Sequence, residues 1–501
     1  MGALCSERAR PRVWDALLDA GRPVGIELAG YEAGLGFCVR LQKSDFSGRD
    51  ALLHSVQEHR VTAIPTTPSP LAEAQALLDR LIVEHSPGHA LQREFQTDPG
   101  IYRLELERIW RRGWLFAGHT CQVKRPGDYF VFDVDTDSLI VIRGDDDRIH
   151  TLHNTCRHRG MKVCQAQSGH VTRIVCPYHQ WSYARSGELM ACGGMDKDGD
   201  LDRRDFGLHR VLTREVGGLI FVCLGEDPTP FEDAAQALGA LLRPQGLARA
   251  KVAAVRSYEV RANWKLVWEN NRECWHCTVH HPQYVKANYD SAPIDDSALK
   301  REIEAQARAT SAGLEADGLA IDHQEAGLVR FPSPDCWWSI NRTPLVPGWV
   351  SESLDGRPVA PLMGTYQTRD VGTLRMRTMP NFWNHSSSDH SVSTRLAPAG
   401  PQTTLVQVQW LVHEDAVEGK DYALDALLPF WQLTSEQDWD LCEKNQAGVN
   451  SSAFTPGPYS TKREYNVIRY TEWYLHAIAR PEHPEGSVAR RVCASRFPPA
   501  R

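Results

Sequence analysis

Apolar positions recur with two periods along this chain, and the change between them marks its parts. Residues 71–85 carry a helical period and stop at the turn Ser86-Pro87-Gly88. Asp98 before Pro99 is the pair expected of an N-cap with proline in the first helical position. Tyr102, Leu106, Ile109 and Trp110 then fall at i, i+4, i+7 and i+8, on one face, until Gly113. From there the period is two. Residues 129–134, 139–143 and 148–153 predict short strands parted by Asp- and Gly-rich turns, and more strands run to about Leu224. A Pro-rich joint, Asp227-Pro228-Thr229-Pro230, follows. Beyond residue 231 the pattern is mixed. A strand is predicted over 256–261, a helix opening at Asn263-Trp264-Lys265, and a largely surface helix in the Ala- and Glu-rich stretch 300–325. Several strands are expected through 329–414. Closing helices are expected over 422–447, broken or kinked at Pro429, and over 465–479. The fold class is therefore α+β: a small all-β unit, then a mixed unit.

The 501 residues suffice for two or three domains, and 42% apolar content is that of a globular chain. The longest apolar runs, such as 218–224, have strand length and do not predict a membrane span. Early Arg and Glu and the lack of an apolar core argue against a secretory signal. The net charge of -7 gives no support to a nucleic-acid partner. Thirteen scattered cysteines suit a reduced cytoplasm better than a disulfide framework.

The chemistry concentrates in one stretch. Cys156-Arg157-His158 is followed, after seventeen residues, by Cys176-Pro177-Tyr178-His179. Zinc sites favour Cys-x-x-Cys pairs, or one Cys pair and one His pair. Here each pair mixes the two types, which suits a two-iron cluster with two Cys on one iron and two His on the other, a Rieske [2Fe-2S] centre. The plainer alternatives are a zinc site, or cysteines and histidines that never meet. A second candidate site lies at Glu269-Asn270-Asn271-Arg272-Glu273-Cys274-Trp275-His276, with His281 beyond it. Two His and one carboxylate with open positions make the facial triad of non-haem ferrous oxygenases. On a helix, i and i+5 lie about 140° apart, but Pro282 forces the residue before it out of the helical region. His276 is thus expected on the helix and His281 just past its end. The acid is expected from Ser435-Glu436-Gln437-Asp438-Trp439-Asp440-Leu441-Cys442-Glu443, on a late helix that can turn one carboxylate inward.

From about residue 90 onward the chain resembles the catalytic (α) subunit of a Rieske non-haem iron oxygenase, on the strength of both motifs together. The resemblance implies a β-sandwich Rieske domain over 115–230 joined to a helix-grip catalytic domain over 231–501, with 61–114 as linker and packing helices. It implies Cys156, His158, Cys176 and His179 as cluster ligands. It also implies His276, His281 and Asp438 as ligands of a mononuclear ferrous iron, with Asp440 and Glu436 as alternatives to Asp438. The family assembles as head-to-tail trimers in which an acid bridges one subunit's cluster to its neighbour's iron. That acid falls on Glu273, three residues before His276 and so expected on the same helix face. Many members have Asp there; Glu is shared by the branch acting on quaternary ammonium compounds.

Within the family the chain most resembles glycine betaine and proline betaine demethylating oxygenases. The supporting residues are Glu269 to Cys274, Asn381-Phe382-Trp383-Asn384-His385 and His413-Glu414-Asp415-Ala416-Val417-Glu418-Gly419. A quaternary ammonium ion is held by aromatic faces, and Trp337, Trp338, Trp349, Trp383 and Trp410 fall in the catalytic part. The implied activity is O2-dependent hydroxylation of an N-methyl group, with collapse to formaldehyde and the demethylated amine. An NAD(P)H-dependent reductase would supply the electrons. Ring hydroxylation of an aromatic acid, a pure electron carrier and a folate-binding transferase are the rivals.

Residues 1–60 stand apart. Ala20-Gly21-Arg22-Pro23, Glu32-Ala33-Gly34-Leu35-Gly36-Phe37 and Asp45-Phe46-Ser47-Gly48-Arg49-Asp50-Ala51-Leu52 resemble the folate-dependent aminomethyltransferase family. The family's intervening segment is missing, so no folate site is carried over. The stretch is read as a fusion remnant or a misassigned start, short for a core of its own.

Overall fold

The computed structural model describes residues 28–30, 37–39, 69–199, 201–289, 297–316 and 336–479. Backbone packing divides the chain into Met1–Glu73 and Ala74–Arg501. In the first unit β1 (Leu28–Gly30) and β2 (Phe37–Val39) pair antiparallel. The remainder of the aminomethyltransferase-like stretch lies outside the described residues.

Helix α1 spans Pro70–Glu84, and α2, Arg93–Thr97, leads into α3, Pro99–Glu105. The Asp98 carboxylate accepts the backbone N–H groups of Gly100 and Ile101 at 2.8 and 2.9 Å, the cap its position predicts. Tyr102, Leu106, Ile109 and Trp110 are all buried. The run to Gly113 is not one regular helix, however: Leu106–Trp110 widens into a π turn.

The all-β part holds β3 (Leu115–His119), β4 (Asp128–Val134), β5 (Asp137–Arg143), β6 (Ile149–His153) and β7 (Ser168–His170). It continues with β8 (Ile174–Val175), β9 (Ser182–Tyr183), β10 (Leu189–Ala191), β11 (Arg210–Val216) and β12 (Leu219–Cys223). They form an antiparallel seven-stranded sheet, β3-β12-β11-β6-β5-β4-β7, and a three-stranded sheet, β10-β9-β8. A separate core of Tyr129, Val131, Ile140, Ile142, Leu152, Cys156, Cys176, Trp181 and Tyr183 fills the space between them.

After α4 (Glu232–Leu242), a six-stranded antiparallel sheet runs β13-β18-β17-β16-β15-β14. Its strands are β13 (Ala250–Val260), β14 (Trp338–Thr343), β15 (Thr373–Thr378), β16 (Phe382–Ser386), β17 (Ser391–Pro398) and β18 (Thr404–His413). β13 starts earlier than the predicted 256–261, because Ala250–Val255 has no strand alternation in sequence and is paired by β18 through a bulge. Residues 344–372 are irregular rather than strands. Against this sheet pack α5 (Trp264–Asn271) and α10 (Pro429–Val449). The one-turn helices α6 (Cys277–His280) and α7 (Tyr284–Ala287), the longer α8 (Ser297–Ala316) and the one-turn α9 (Leu424–Leu427) lie between them in the chain, and α11 (Tyr465–Ile478) packs on the Leu106–Trp110 turn. The break expected at Pro429 separates α9 from α10. The α+β reading holds. Among the described residues no helix is long and apolar enough to cross a membrane.

Two buried links join these parts. The Asn381 side chain imitates a strand edge, accepting Phe116 N–H at 2.8 Å and donating to Phe116 C=O at 3.0 Å. Lys265 and Glu105, both fully buried, pair at 2.5 Å, and the Glu105 carboxylate also accepts Trp264 Nε1–H at 2.8 Å and the Tyr474 hydroxyl at 2.6 Å. The pair ties α5, which leads into the second candidate site, to α3 and α11.

Candidate metal centres

The two Cys-plus-His pairs sit on loops with the same backbone construction. In the first, Cys156 N–H donates to Met161 C=O and Cys156 C=O accepts Gly160 N–H, at 2.8 and 2.9 Å. In the second, Cys176 N–H donates to Trp181 C=O and Cys176 C=O accepts Gln180 N–H, at 2.8 and 3.0 Å. The fifth residue of each turn, Gly160 or Gln180, is in the left-handed region, at φ 78° and 61°. Each turn buries its Cys and leaves its His more exposed, His158 half-buried and His179 at the surface. Cys156 and Cys176 are 3% and 1% exposed.

The loop tips meet. The His158 and His179 rings are 4.6 Å apart, and His158 stacks on Trp181 at 4.8 Å. His158 Nδ1 is buried with no hydrogen-bond partner. The Tyr183 hydroxyl accepts Arg157 N–H at 3.1 Å, so its own proton is left for Cys156 Sγ, also at 3.1 Å. Two inner sulfurs, two outer rings, an orphaned ring nitrogen and a donor aimed at one sulfur fit a Rieske cluster, whose potential responds to such hydrogen bonds.

The second site assembles around α10. Asp438 Oδ1 lies 2.9 Å from His281 Nε2 and 3.3 Å from His276 Nε2, with the two rings 5.1 Å apart. Three donor atoms thus converge on one point, and His281 is only 1% exposed. Burial works against charge on the His276 ring, but hydrogen bonds to Asp438 and Glu273 outweigh it and lift its pKa to about 10. Burial likewise opposes ionisation of Asp438, yet His276 and His281 hold its carboxyl below the usual range. Ferrous iron at this point would displace the proton from His276 Nε2, and the resulting neutral-His, carboxylate donor set would leave positions open.

The local backbone differs from the prediction for His276. α5 ends at Asn271, so His276 is not on it. His276 precedes the one-turn helix α6, and His281 terminates that helix at φ −122°, as Pro282 requires. Glu273 therefore does not share a regular helix face with His276. It lies in the break, where its carboxylate accepts both Trp275 N–H and the Nδ1–H of His276. A side chain that captures a nearby backbone N–H competes with the helix ladder. A disulfide, Cys274–Cys277, also closes across His276. Eight of the described cysteines are free, and this one pair departs from the expectation of a reduced chain. Cys277 Sγ stands 3.8 Å from His276 Nε2.

The other acids of the α10 stretch point elsewhere. Asp440 pairs with Lys444, Glu436 accepts from Gln432, and Glu443 pairs with Arg261 at 2.7 Å. Of the tryptophans singled out, Trp410 is fully buried core, and Trp337 lines a separate cavity of about 250 Å³ with Met379, Pro380 and Trp473. Trp383 lies 6.3 Å from Trp439, the neighbour of Asp438. Beside His276 is a cavity of about 280 Å³ with an acidic wall of Glu269, Glu273 and Glu464. Burial pushes Glu269 up to about 7. The sequence reading missed Tyr183, Lys265 and Gln437, and Gln437 stands directly before Asp438 with no pattern of its own to mark it.

Residues 113–200 match the Rieske [2Fe-2S] domain, and residues 247–480 match the ring hydroxylating alpha subunit catalytic domain. The glycine betaine monooxygenase oxygenase subunit of Chromohalobacter salexigens is 39% identical over 81% of this chain and 89% of its own length. A solved quaternary ammonium Rieske monooxygenase superposes with a TM-score of 0.61 at 18% identity, over 80% of this chain and 98% of that one. Naphthalene 1,2-dioxygenase from Rhodococcus sp. does so with 0.55 at 20% identity, over 81% and 98%. Both matches reach the same fold, so the fold by itself does not separate amine from ring chemistry. The chain belongs to the Rieske non-haem iron oxygenase catalytic subunits, enzymes that work with a [2Fe-2S] cluster and a mononuclear iron.

Proposed function

We propose that this protein is the oxygenase component that hydroxylates an N-methyl group of a quaternary ammonium compound, glycine betaine or proline betaine. The convergence of His276 Nε2, His281 Nε2 and Asp438 Oδ1 carries the reading. Similarity over 89% of a relative named for glycine betaine supports the substrate class.

His276, His281 and Asp438 would hold a ferrous iron, which would supply the site where O2 is activated beside the substrate. Cys156, His158, Cys176 and His179 hold the cluster. When bound, the two centres supply the two electrons that activate O2. Overall, one oxygen atom of O2 enters a C–H bond of the N-methyl group and makes it an N-hydroxymethyl group. The other oxygen atom takes up two electrons and two protons and leaves as water. The carbinolamine then releases formaldehyde, the tertiary amine and a proton. Glu273 accepts the Nδ1–H of His276, orients that ring, and serves as the bridge toward His179 of a neighbouring copy in a homotrimer. Apolar side chains left in water beside both ends of this bridge support that assembly: Tyr178 is 52% exposed, Trp275 52% and Val279 78%. A separate NAD(P)H-dependent reductase reduces the cluster.

The test is product analysis of the iron-loaded protein with NADH and a compatible reductase, offered glycine betaine, proline betaine, carnitine, choline and an aromatic acid. Formaldehyde in step with one betaine is the expected result. Turnover of the aromatic acid alone overturns the amine reading and leaves both metal assignments standing.

A further inference from the structure

We infer that Gln437 is a positioning residue for the iron site, and that the direction of its hydrogen bonds is fixed by a chain anchored on the backbone carbonyl of Phe430. The inference rests on the reading of His281 as an iron ligand.

A carbonyl oxygen can only accept. Phe430 C=O accepts the Thr434 hydroxyl at 2.8 Å. A hydroxyl has one proton, so toward its other neighbour Thr434 can only accept. That neighbour, 2.9 Å away, is the side-chain amide of Gln283, which must therefore present its NH2 group. The second hydrogen of this NH2 reaches Gln437, also at 2.9 Å, so Gln437 must turn its oxygen to it. The same oxygen lies 2.8 Å from His281 Nδ1, so Nδ1 carries the proton. A neutral ring then has its lone pair on Nε2, the atom 2.9 Å from Asp438 Oδ1 and facing the metal position.

Reversing any link reverses the rest. With Gln283 flipped, Gln437 would present its NH2, Nδ1 would become the acceptor, and Nε2–H would point where the iron belongs. Thr434 and His281 are buried, so water does not readily replace the missing partner. The layout follows from helical spacing. Thr434, Gln437 and Asp438 share one face of α10, and Gln283 follows His281 by two residues. The two ring ligands are thereby oriented by different chemistry: His276 by the carboxylate of Glu273, His281 by a neutral amide. Partners of this kind fix the tautomer and basicity of a ligating imidazole.

The experiment measures ferrous-ion dissociation constants and the electron paramagnetic resonance of the nitric oxide adduct in the full-length protein. Far-ultraviolet circular dichroism and the thermal midpoint report folding in each variant. His281→Ala is the control for the ligand reading: if it binds iron like the parent, both that reading and this inference fall. Gln437→Met keeps the bulk and loses the acceptor, and is expected to weaken iron binding by roughly 10- to 100-fold. Thr434→Val touches neither iron nor His281. It is expected to weaken binding in the same direction by a smaller factor and to broaden the nitrosyl spectrum, while Thr434→Ser restores both. If His281→Ala loses iron but Thr434→Val is indistinguishable from the parent, the anchored chain is wrong and the ligand reading survives.

Discussion

The two centres of this protein are built in opposite ways. The four residues assigned to the cluster lie between positions 156 and 179, on two turns with the same backbone bonds. The residues assigned to the iron come from a break after α5, the end of α6 and the middle of α10, with His281 and Asp438 separated by 157 positions. A centre made of adjacent turns needs little beyond its own loops and the small core behind them. A centre gathered from distant segments is held by the packing of the whole catalytic part. The second arrangement can leave one side of the metal open, because no single loop wraps it.

The largest test of this contrast is selective removal. Cys156→Ser is expected to abolish the cluster's visible absorption while iron stays bound at His276, His281 and Asp438. Asp438→Ala is expected to do the reverse. Activity falls to background in both, since each turnover needs both centres. Metal analysis with absorption spectroscopy decides it. Loss of the cluster from Asp438→Ala would mean that the cluster loops depend on the catalytic packing after all.

A second, smaller effect separates local from dispersed support. Lys265 and Glu105 are far from the cluster ligands in sequence but hold α5 against α3 and α11. Removing one partner of a fully buried pair leaves the other charge uncompensated, at a cost of about 3–5 kcal/mol. Lys265→Met is therefore expected to lower the denaturant midpoint and to release iron during heating before the cluster absorption is lost. Simultaneous loss of iron and cluster would show one cooperative unit instead.

The same contrast explains what was legible in the sequence. The cluster residues announce themselves because mixed Cys and His pairs are a local pattern. His281 beyond a helix end was legible too, since Pro282 acts on its immediate neighbour. The position of His276 was not. Its backbone is decided by the Glu273 carboxylate bonding to Trp275 N–H and by the Cys274–Cys277 bridge, and neither is visible to helix periodicity. Asp438 was singled out by resemblance; its own helix offers Glu436 and Asp440 as well, and only the fold turns those two elsewhere. Gln437 lay beyond reach, because its partner Gln283 adjoins it only in three dimensions. The strand order was likewise not readable, and the early half of β13 has no alternation to read.

The smallest predicted effect probes the seam between the two parts. His119 ends β3, and its Nε2 lies 3.0 Å from Ser393 Oγ on β17. Burial, with the nearby Arg395 charge adding to it, lowers its pKa to about 3. An unfolded histidine titrates near 6.5. The folded state thus favours the neutral ring, and the resulting stability is fully present above pH 6.5 and is lost as pH falls from 6.5 toward 3. For this one group the loss between pH 6 and pH 5 is about 1 kcal/mol. His119→Gln removes the titration but keeps a polar side chain near Ser393. Its denaturant midpoint is expected to fall less steeply than the parent's between those two pH values, although it starts lower. His385, held at about 4 chiefly by burial, keeps its own share of the slope in both proteins. Equal slopes in parent and variant would mean that His119 does not stay neutral in the folded protein.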